Sequence, residues 1–418
     1  MSASTERKNR QTARSEGTYK KDIAAQKEAA KQKKTRTRWI IVGVVIVLFF
    51  AFAIYLNTGS LYRSLTGLTV TNTEVTAGDT TLPAATRSFS VAECNYVYNM
   101  QYITFVNTYG SYASLFGLDT SKALDTQACA MAPEGKENYT WDDYFRDAAK
   151  TQLTQLATFE AYAKAHDITV TEDDLKSIDE AVDTLTETAK TNNYRSADSF
   201  LAANYGKGCN VGVMRDIMEL QALATKVQNS ITDAETFTAE QITEKYDSAK
   251  DSYDKFTYSY YYVAAATETN DDGTAADPTD EAKAQAKATA DSILASVQDG
   301  TALADAAKAV VEDAEVKEQT DLAGSSVEAD LSEWIKSADR KEGDTAVVEG
   351  SSGSYVVVFT KRDNNQAPTE ESGDMNYCDY VGEQLLKQDV LSKWNDDVFS
   401  VLSDAYTAKF GSTRYIGR

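Results

Sequence analysis

Histidine is almost missing from this sequence: among 418 residues there is one, His166. A single imidazole rules out His-rich metal sites and leaves one such general base at most. It stands near the end of an expected helix, where a cation suits the helix dipole, so a capping or surface role is expected. Cysteine is scarce as well. Cys94, Cys129, Cys209 and Cys378 form no CxxC pair, and their spacings of 35, 80 and 169 residues do not resemble a zinc ribbon. Disulfides and free buried thiols are both compatible with the count. Also missing are GxSxG, a P-loop, GxGxxG after a strand and HExxH. The acidic pairs Asp142/Asp143 and Asp173/Asp174 stand at expected helix starts, where capping explains them. No metal and no cofactor is expected.

One long apolar run is present. Trp39–Leu56 holds eighteen residues without a charge, most of the length a helix needs to cross a ~30 Å hydrocarbon core. Trp39 and Tyr55 lie at its ends, where amphipathic rings favour the interfaces. A soluble helix of this length carries a polar face, and this one has none. A cleaved signal peptide has a shorter basic start and a small-x-small site, which Leu56-Asn-Thr-Gly-Ser60 is not. An uncleaved single-pass anchor is therefore expected at 39–56. The net charge of −22 hides a split: residues 1–38 carry 12 Lys/Arg against 4 Asp/Glu, leaving 30 against 60 for the rest. The positive-inside rule places the basic arm in the cytoplasm and the acidic remainder outside the cell membrane. The arm reads as a disordered tail, residues 57–87 as a Thr-, Gly- and Asn-rich linker. The acidic remainder would repel phosphates, so no nucleic-acid partner is expected.

Ser90-Val-Ala-Glu93 is a capping box that opens the folded part. Tyr98, Tyr102, Phe105, Tyr109, Tyr112 and Phe116 follow at helical steps, six rings on one stripe. The stripe reads both as a seam packed on other helices and as a partly exposed groove for unfolded chains, with Gly110 as a point where the helix bends or ends. Thr140, Thr171 and Thr238 cap further helices, and residues 88–253 read as an all-helical lobe. The texture then changes. Phe256-Thr-Tyr-Ser-Tyr-Tyr-Tyr-Val263 reads as a strand. The acidic loop 270–280 lacks EF-hand spacing and reads as solvated. Helices over 281–299, 303–310 and 331–338 lead to two strands, 345–349 and 354–359, around a Gly350-Ser-Ser-Gly353 hairpin turn. The expected order is βαααββ over 254–363. A final helix, within 374–412, is apolar on one face and must pack on something; it is expected to return to the helical lobe. The fold class is mostly α with an inserted α+β domain.

In that order the segments resemble the SurA/PrsA family of extracytoplasmic folding factors, with a parvulin-type (PpiC-like) peptidyl-prolyl isomerase domain inserted. The resemblance rests on Ile168-Thr-Val-Thr-Glu-Asp-Asp-Leu175 and Tyr205-Gly206 in the lobe. In the inserted domain it rests on Gly300-Thr-Ala-Leu-Ala-Asp-Ala-Ala307, Lys341-Glu-Gly-Asp344 and Gly353-Ser-Tyr-Val-Val-Val358. It covers about residues 88–410. It departs from the family where parvulins carry two histidines: the positions here are Tyr260 and Val356. The glycine-rich loop is reduced to Asp321-Leu-Ala-Gly324.

Prolyl isomerisation must lower an amide rotation barrier of ~20 kcal/mol by cradling the proline ring and favouring the twisted amide. Tyr260, Tyr262, Trp334, Tyr355 and Val356 are the candidates to line such a pocket; Tyr98, Tyr102, Phe105 and Tyr109 are candidates to hold unfolded chains. No catalytic residue is assigned. The resemblance implies a membrane-tethered chaperone or foldase for unfolded or nascent secreted polypeptides, its parvulin-like domain retained for binding or packing. Two alternatives are an active isomerase with a tyrosine-lined site and a non-enzymatic envelope scaffold for one partner. A homodimer is left open.

Overall fold

The computed structural model describes residues 3–5, 7–8, 11–12, 42, 44–51, 55, 58–268, 276–411 and 413–417. Of the expected anchor, the described residues 44–51 are helical (α1); the rest of 39–56 apart from 42 and 55 lies outside the described residues, as does most of the basic arm. Among the described residues no helix is long and apolar enough to cross a membrane.

The chain forms two compact units, residues 1–229 with 396–418, and residues 230–395. The first contains a short helix α2 (Ser60–Ser64), strands β1 (Thr66–Asn72), β2 (Val75–Ala77), β3 (Thr80–Leu82) and β4 (Ala85–Ser90), and helices α3 (Val91–Tyr109), α4 (Trp141–Ala165), α5 (Glu172–Thr191), α6 (Ala197–Asn204) and most of α7 (Val211–Asp233). Within the expected linker, residues 66–87 are thus a β layer. Its threonines alternate with Leu68 and Val70, both fully buried, and the period of two outweighs the polar composition. β1 is the central strand of an antiparallel sheet, flanked by β4 (Leu68 opposite Phe89) and by a strand from the far end of the chain. That strand, β9 (Tyr406–Phe410), lies where a continuous helix was expected. Burying a side chain such as Leu68 or Phe89 contributes about 1.5–3 kcal/mol, which anchors the layer under α3.

All four expected caps form as reciprocal capping boxes: Ser90 with Glu93, Thr140 with Asp143, Thr171 with Asp174 and Thr238 with Gln241. His166 caps the C-terminal end of α4, stacks on Tyr162 and lies 3.1 Å by Nε2 from the Thr80 hydroxyl. The four cysteines are free and buried. Burial pushes their thiols up, that of Cys209 to about 12, which keeps them protonated and unreactive.

The second unit holds α8 (Ala239–Tyr253), β5 (Lys255–Ala264), α9 (Asp280–Gln298), α10 (Leu303–Val310), β6 (Lys317–Ala323), α11 (Ala329–Lys336), β7 (Thr345–Gly350), β8 (Gly353–Asp363) and α12 (Tyr377–Trp394). Its sheet is antiparallel in the order β6-β5-β8-β7, one strand more than expected. The extra strand, β6, is a polar edge whose sequence lacks the apolar alternation of a core strand. The β7–β8 hairpin turns where expected, with Gly350 opposite Gly353. One sheet face packs on α11 through Phe256, Tyr258, Tyr260, Leu331, Ile335, Val357 and Phe359; the other packs on α9 and α10 through Val356, Ile293, Leu303 and Ala307.

The final helix does not close the lobe as expected. α12 packs on α8, with Tyr246, Cys378 and Val381 forming a small core, and both belong to the unit that contains the sheet. The approach is close: a Cβ on Gly382 would lie 2.4 Å from the Ile242 carbonyl. The expected boundary at 253/254 therefore falls inside a compact unit. After α12, a π-helical turn Asn395–Phe399 and α13 (Ser400–Asp404) lead to β9.

Candidate functional site

Because side chains alternate along a strand, Tyr261 of β5 faces one side of the sheet with Val356, while Tyr258, Tyr260 and Tyr262 point to the other. Tyr258, Tyr260 and Tyr262 meet Tyr355 of β8 there; the Tyr262–Tyr355 centroids are 4.6 Å apart, and Trp334 of α11 packs against the same cluster. Four of the five candidates for the isomerase-like pocket are therefore brought together. Val356 is not. It stands one residue out of phase, fully buried on the opposite face beneath α9 and α10, so it cannot reach a chain bound at Tyr260.

The tyrosine face is also filled and tied. Tyr258 and Tyr260 are buried, with Leu331 and Ile335 of α11 over them. The Tyr260 hydroxyl donates to Glu328 Oε1 at 2.6 Å, and the Tyr355 hydroxyl interacts with Asp330, at the start of the same helix. Burial, and next these carboxylates, push both phenols above their ordinary value, Tyr355 to about 12. Their protons stay in place at neutral pH and point at carboxylates, not at an incoming amide. Tyr262 and Trp334 keep partial exposure, and Arg340 lies 4.5 Å over the Trp334 ring. Nearby, a buried network missed by sequence reasoning fastens α8, β5 and β8. Asp254 accepts from Arg362 Nε and from the Tyr246 hydroxyl, both at 2.5 Å, while Arg362 also reaches Asp251.

In the first unit, the aromatic stripe of α3 divides. Tyr98, Tyr102 and Phe105 are buried against α4, each within 6.1 Å of the Phe145 ring. The stripe then outruns its partner. Gly110, at φ +50°, ends the α-helix, and a 3-10 turn Gly110–Phe116 follows. Tyr109 and Phe116 stay half-buried, their rings 4.8 Å apart, while Tyr112 is 67% and Leu115 79% exposed. The result is an apolar shelf continuous with the buried seam.

A third feature had no motif to announce it. A polar cleft of about 630 Å³ lies between α3, α4, the turn after α6 and residues 413–417. The turn Tyr205-Gly-Lys-Gly208 forms one wall. Gly206 and Gly208 take φ of +103° and +91°, and a Cβ on Gly208 would lie 2.6 Å from the Tyr62 Cβ, so only glycine fits. The turn aims two carbonyls at α3: Asn99 Nδ2 donates to that of Tyr205 at 3.0 Å, and Asn95 Nδ2 to that of Lys207 at 3.4 Å. On α4, Asp142 accepts from the Tyr98 hydroxyl at 2.7 Å and pairs with Arg146, which also meets Asp143 at 3.2 Å.

No protein-family model matches this chain, and no curated relative matches it. Among solved structures it is similar to a SurA-like chaperone of Campylobacter jejuni, at 14% identity over 63% of this chain and 88% of that one, with a TM-score of 0.25. It is likewise similar to peptidylprolyl isomerase PrsA of Bacillus cereus (12%, 66% and 90%, TM-score 0.29) and foldase protein PrsA of Streptococcus pneumoniae (15%, 66% and 91%, TM-score 0.24). With TM-scores this low, the likenesses carry no weight for function; the side chains of this molecule carry it.

Proposed function

We propose that this chain is a membrane-tethered extracytoplasmic chaperone that holds unfolded secreted or envelope polypeptides, with a sheet domain that serves binding or packing and not prolyl isomerisation. The observation that carries the reading is the shelf at the end of α3. Tyr112 and Leu115, exposed on the same 3-10 turn as half-buried Phe116, offer apolar area to a partner chain. Transient apolar segments of an unfolded chain would bury against it, lowering the concentration free to aggregate. The non-catalytic reading of the sheet domain draws support from the Tyr260–Glu328 hydrogen bond and from the burial of Val356 on the far face.

Tethering draws support from α1, whose side chains Val44–Phe50 are 49–67% exposed, as suits a lipid environment. The basic arm before it sets the N-terminus in the cytoplasm.

The test uses the full chain in nanodiscs. Aggregation of a proline-independent client and refolding of a substrate limited by a trans-to-cis prolyl step are followed side by side. Suppressed aggregation, weakened several-fold by Tyr112→Ser with Leu115→Ser, and an unchanged isomerisation rate are expected. Acceleration of the prolyl step that is lost in Tyr260→Phe would overturn the non-catalytic reading. Unimpaired suppression by the double variant would move client binding away from the shelf.

A further inference from the structure

One wall of the cleft beside α3 is a piece of polypeptide, the chain's own residues 413–417. Asn95 is 2% exposed, a rare setting for an amide side chain unless every polar atom is used. Its contacts are all to main chain. Besides the Lys207 carbonyl, Nδ2 donates to the Tyr415 carbonyl at 3.1 Å, and Oδ1 accepts from the Gly417 N–H at 3.2 Å. The carbonyl lies in a 3-10 turn, Thr413–Tyr415, and the N–H just after it, so the side chain reads the main chain where that turn ends. Arg146 Nη2 adds a donor to the intervening Ile416 carbonyl at 3.3 Å. Ile416 itself is 2% exposed and is the one apolar anchor of the segment. The polar contacts are all to main chain, but Gly417 is held by its conformation as well: its φ is +147° and a Cβ there would lie 2.9 Å from Asp142 Oδ1. The cleft also extends past the segment, along Asn204 and Lys207, leaving room for a longer chain.

We propose that this cleft is a main-chain-reading site for polypeptide, that residues 413–417, a 3-10 turn and the two residues after it, are its resident occupant, and that a client segment carrying a medium-sized apolar side chain takes their place. The inference rests on polypeptide binding as the chain's work, but on residues separate from the shelf. An unfolded chain supplies backbone pairs everywhere, so a site of this kind accepts many sequences and prefers those with an apolar residue at the anchor position followed by glycine. The resident segment sets a threshold that weak ligands do not cross.

The experiment measures fluorescence anisotropy of a fluorescein-labelled peptide, with the sequence of residues 406–417, on the full chain in detergent. Ile416→Asp removes the anchor of the resident segment and is expected to raise peptide affinity at least tenfold. Adding Asn95→Ala is expected to abolish the gain. Because these variants can also disturb folding, the unaltered chain is probed in parallel with the peptide carrying a photo-crosslinker in place of the isoleucine. Adducts on α3 or the Tyr205–Gly208 turn are expected. No gain in a folded Ile416→Asp chain, or adducts confined to other segments, would overturn the proposal. The peptide assay reads the cleft alone, so an inert shelf in the aggregation assay leaves it standing.

Discussion

Two tyrosine-rich stripes in this molecule look alike in sequence and end differently. Along α3, rings recur every three or four residues; along β5, Phe256, Tyr258, Tyr260 and Tyr262 recur every second residue on one face. The helical stripe is sealed only as far as its partner reaches, and beyond Gly110 its rings open to solvent. The strand stripe is sealed over most of its length, because α11 lies across it and ties down the Tyr260 hydroxyl through Glu328 and that of neighbouring Tyr355 through Asp330. An aromatic stripe becomes a binding surface where packing stops, not where aromatics are densest.

The strongest way to break the comparison is to attack what seals each stripe. Phe145→Ala removes the ring on which Tyr98, Tyr102 and Phe105 converge and is expected to cost about 3–5 kcal/mol, read by urea unfolding. In the sheet unit, Asp254→Ala leaves Arg362 without its buried partner; about 3 kcal/mol is expected, at the low end for such pairs because Asp251 remains. Loss under about 1 kcal/mol in either case would mean the seal lies elsewhere.

A smaller effect tests the hydroxyl ties. Tyr260→Phe should cost about 1 kcal/mol, since Glu328 is exposed and water can replace the phenol. Alkaline titration reads the same ties. A phenol whose folded pKa is raised contributes stability below its unfolded value near 10 and loses it as pH rises through the folded value. The sheet unit is therefore expected to weaken between pH 10 and about 12, and Tyr355→Phe to flatten that slope. An unchanged slope would show that Tyr355 is not the group responsible. The smallest stability effect belongs to the shelf. Tyr112→Ser with Leu115→Ser should stay within about 0.5 kcal/mol while impairing client holding, because neither side chain is packed. A larger melting shift would make the shelf part of the core.

Legibility followed the range of the interaction. The capping boxes at Ser90, Thr140, Thr171 and Thr238, and the turn between Gly350 and Gly353, are settled within four residues and stood where the sequence placed them. Val356 could not share a pocket with Tyr355, since it is the next residue on the same strand and faces the other way. The sheet of β1 was harder to see: its flanking strand β9 lies more than 300 residues away, and Thr-rich segments look like linkers until a partner covers Leu68 and Val70. The Asn95 cleft was illegible, because one asparagine on a helix has no pattern and its ligands come from residues 207, 415 and 417.

The sequence by itself determined the apolar run at 39–56, the charge asymmetry around it, the helix starts and the strand periodicity, because each depends on neighbouring residues and the solvent they meet. Tertiary structure alone decided which aromatics are covered, which helix α12 joins, and that a polar cleft closes on residues 413–417. Burial and hydrogen-bond satisfaction are properties of a residue's partners, and those partners come from distant parts of the chain.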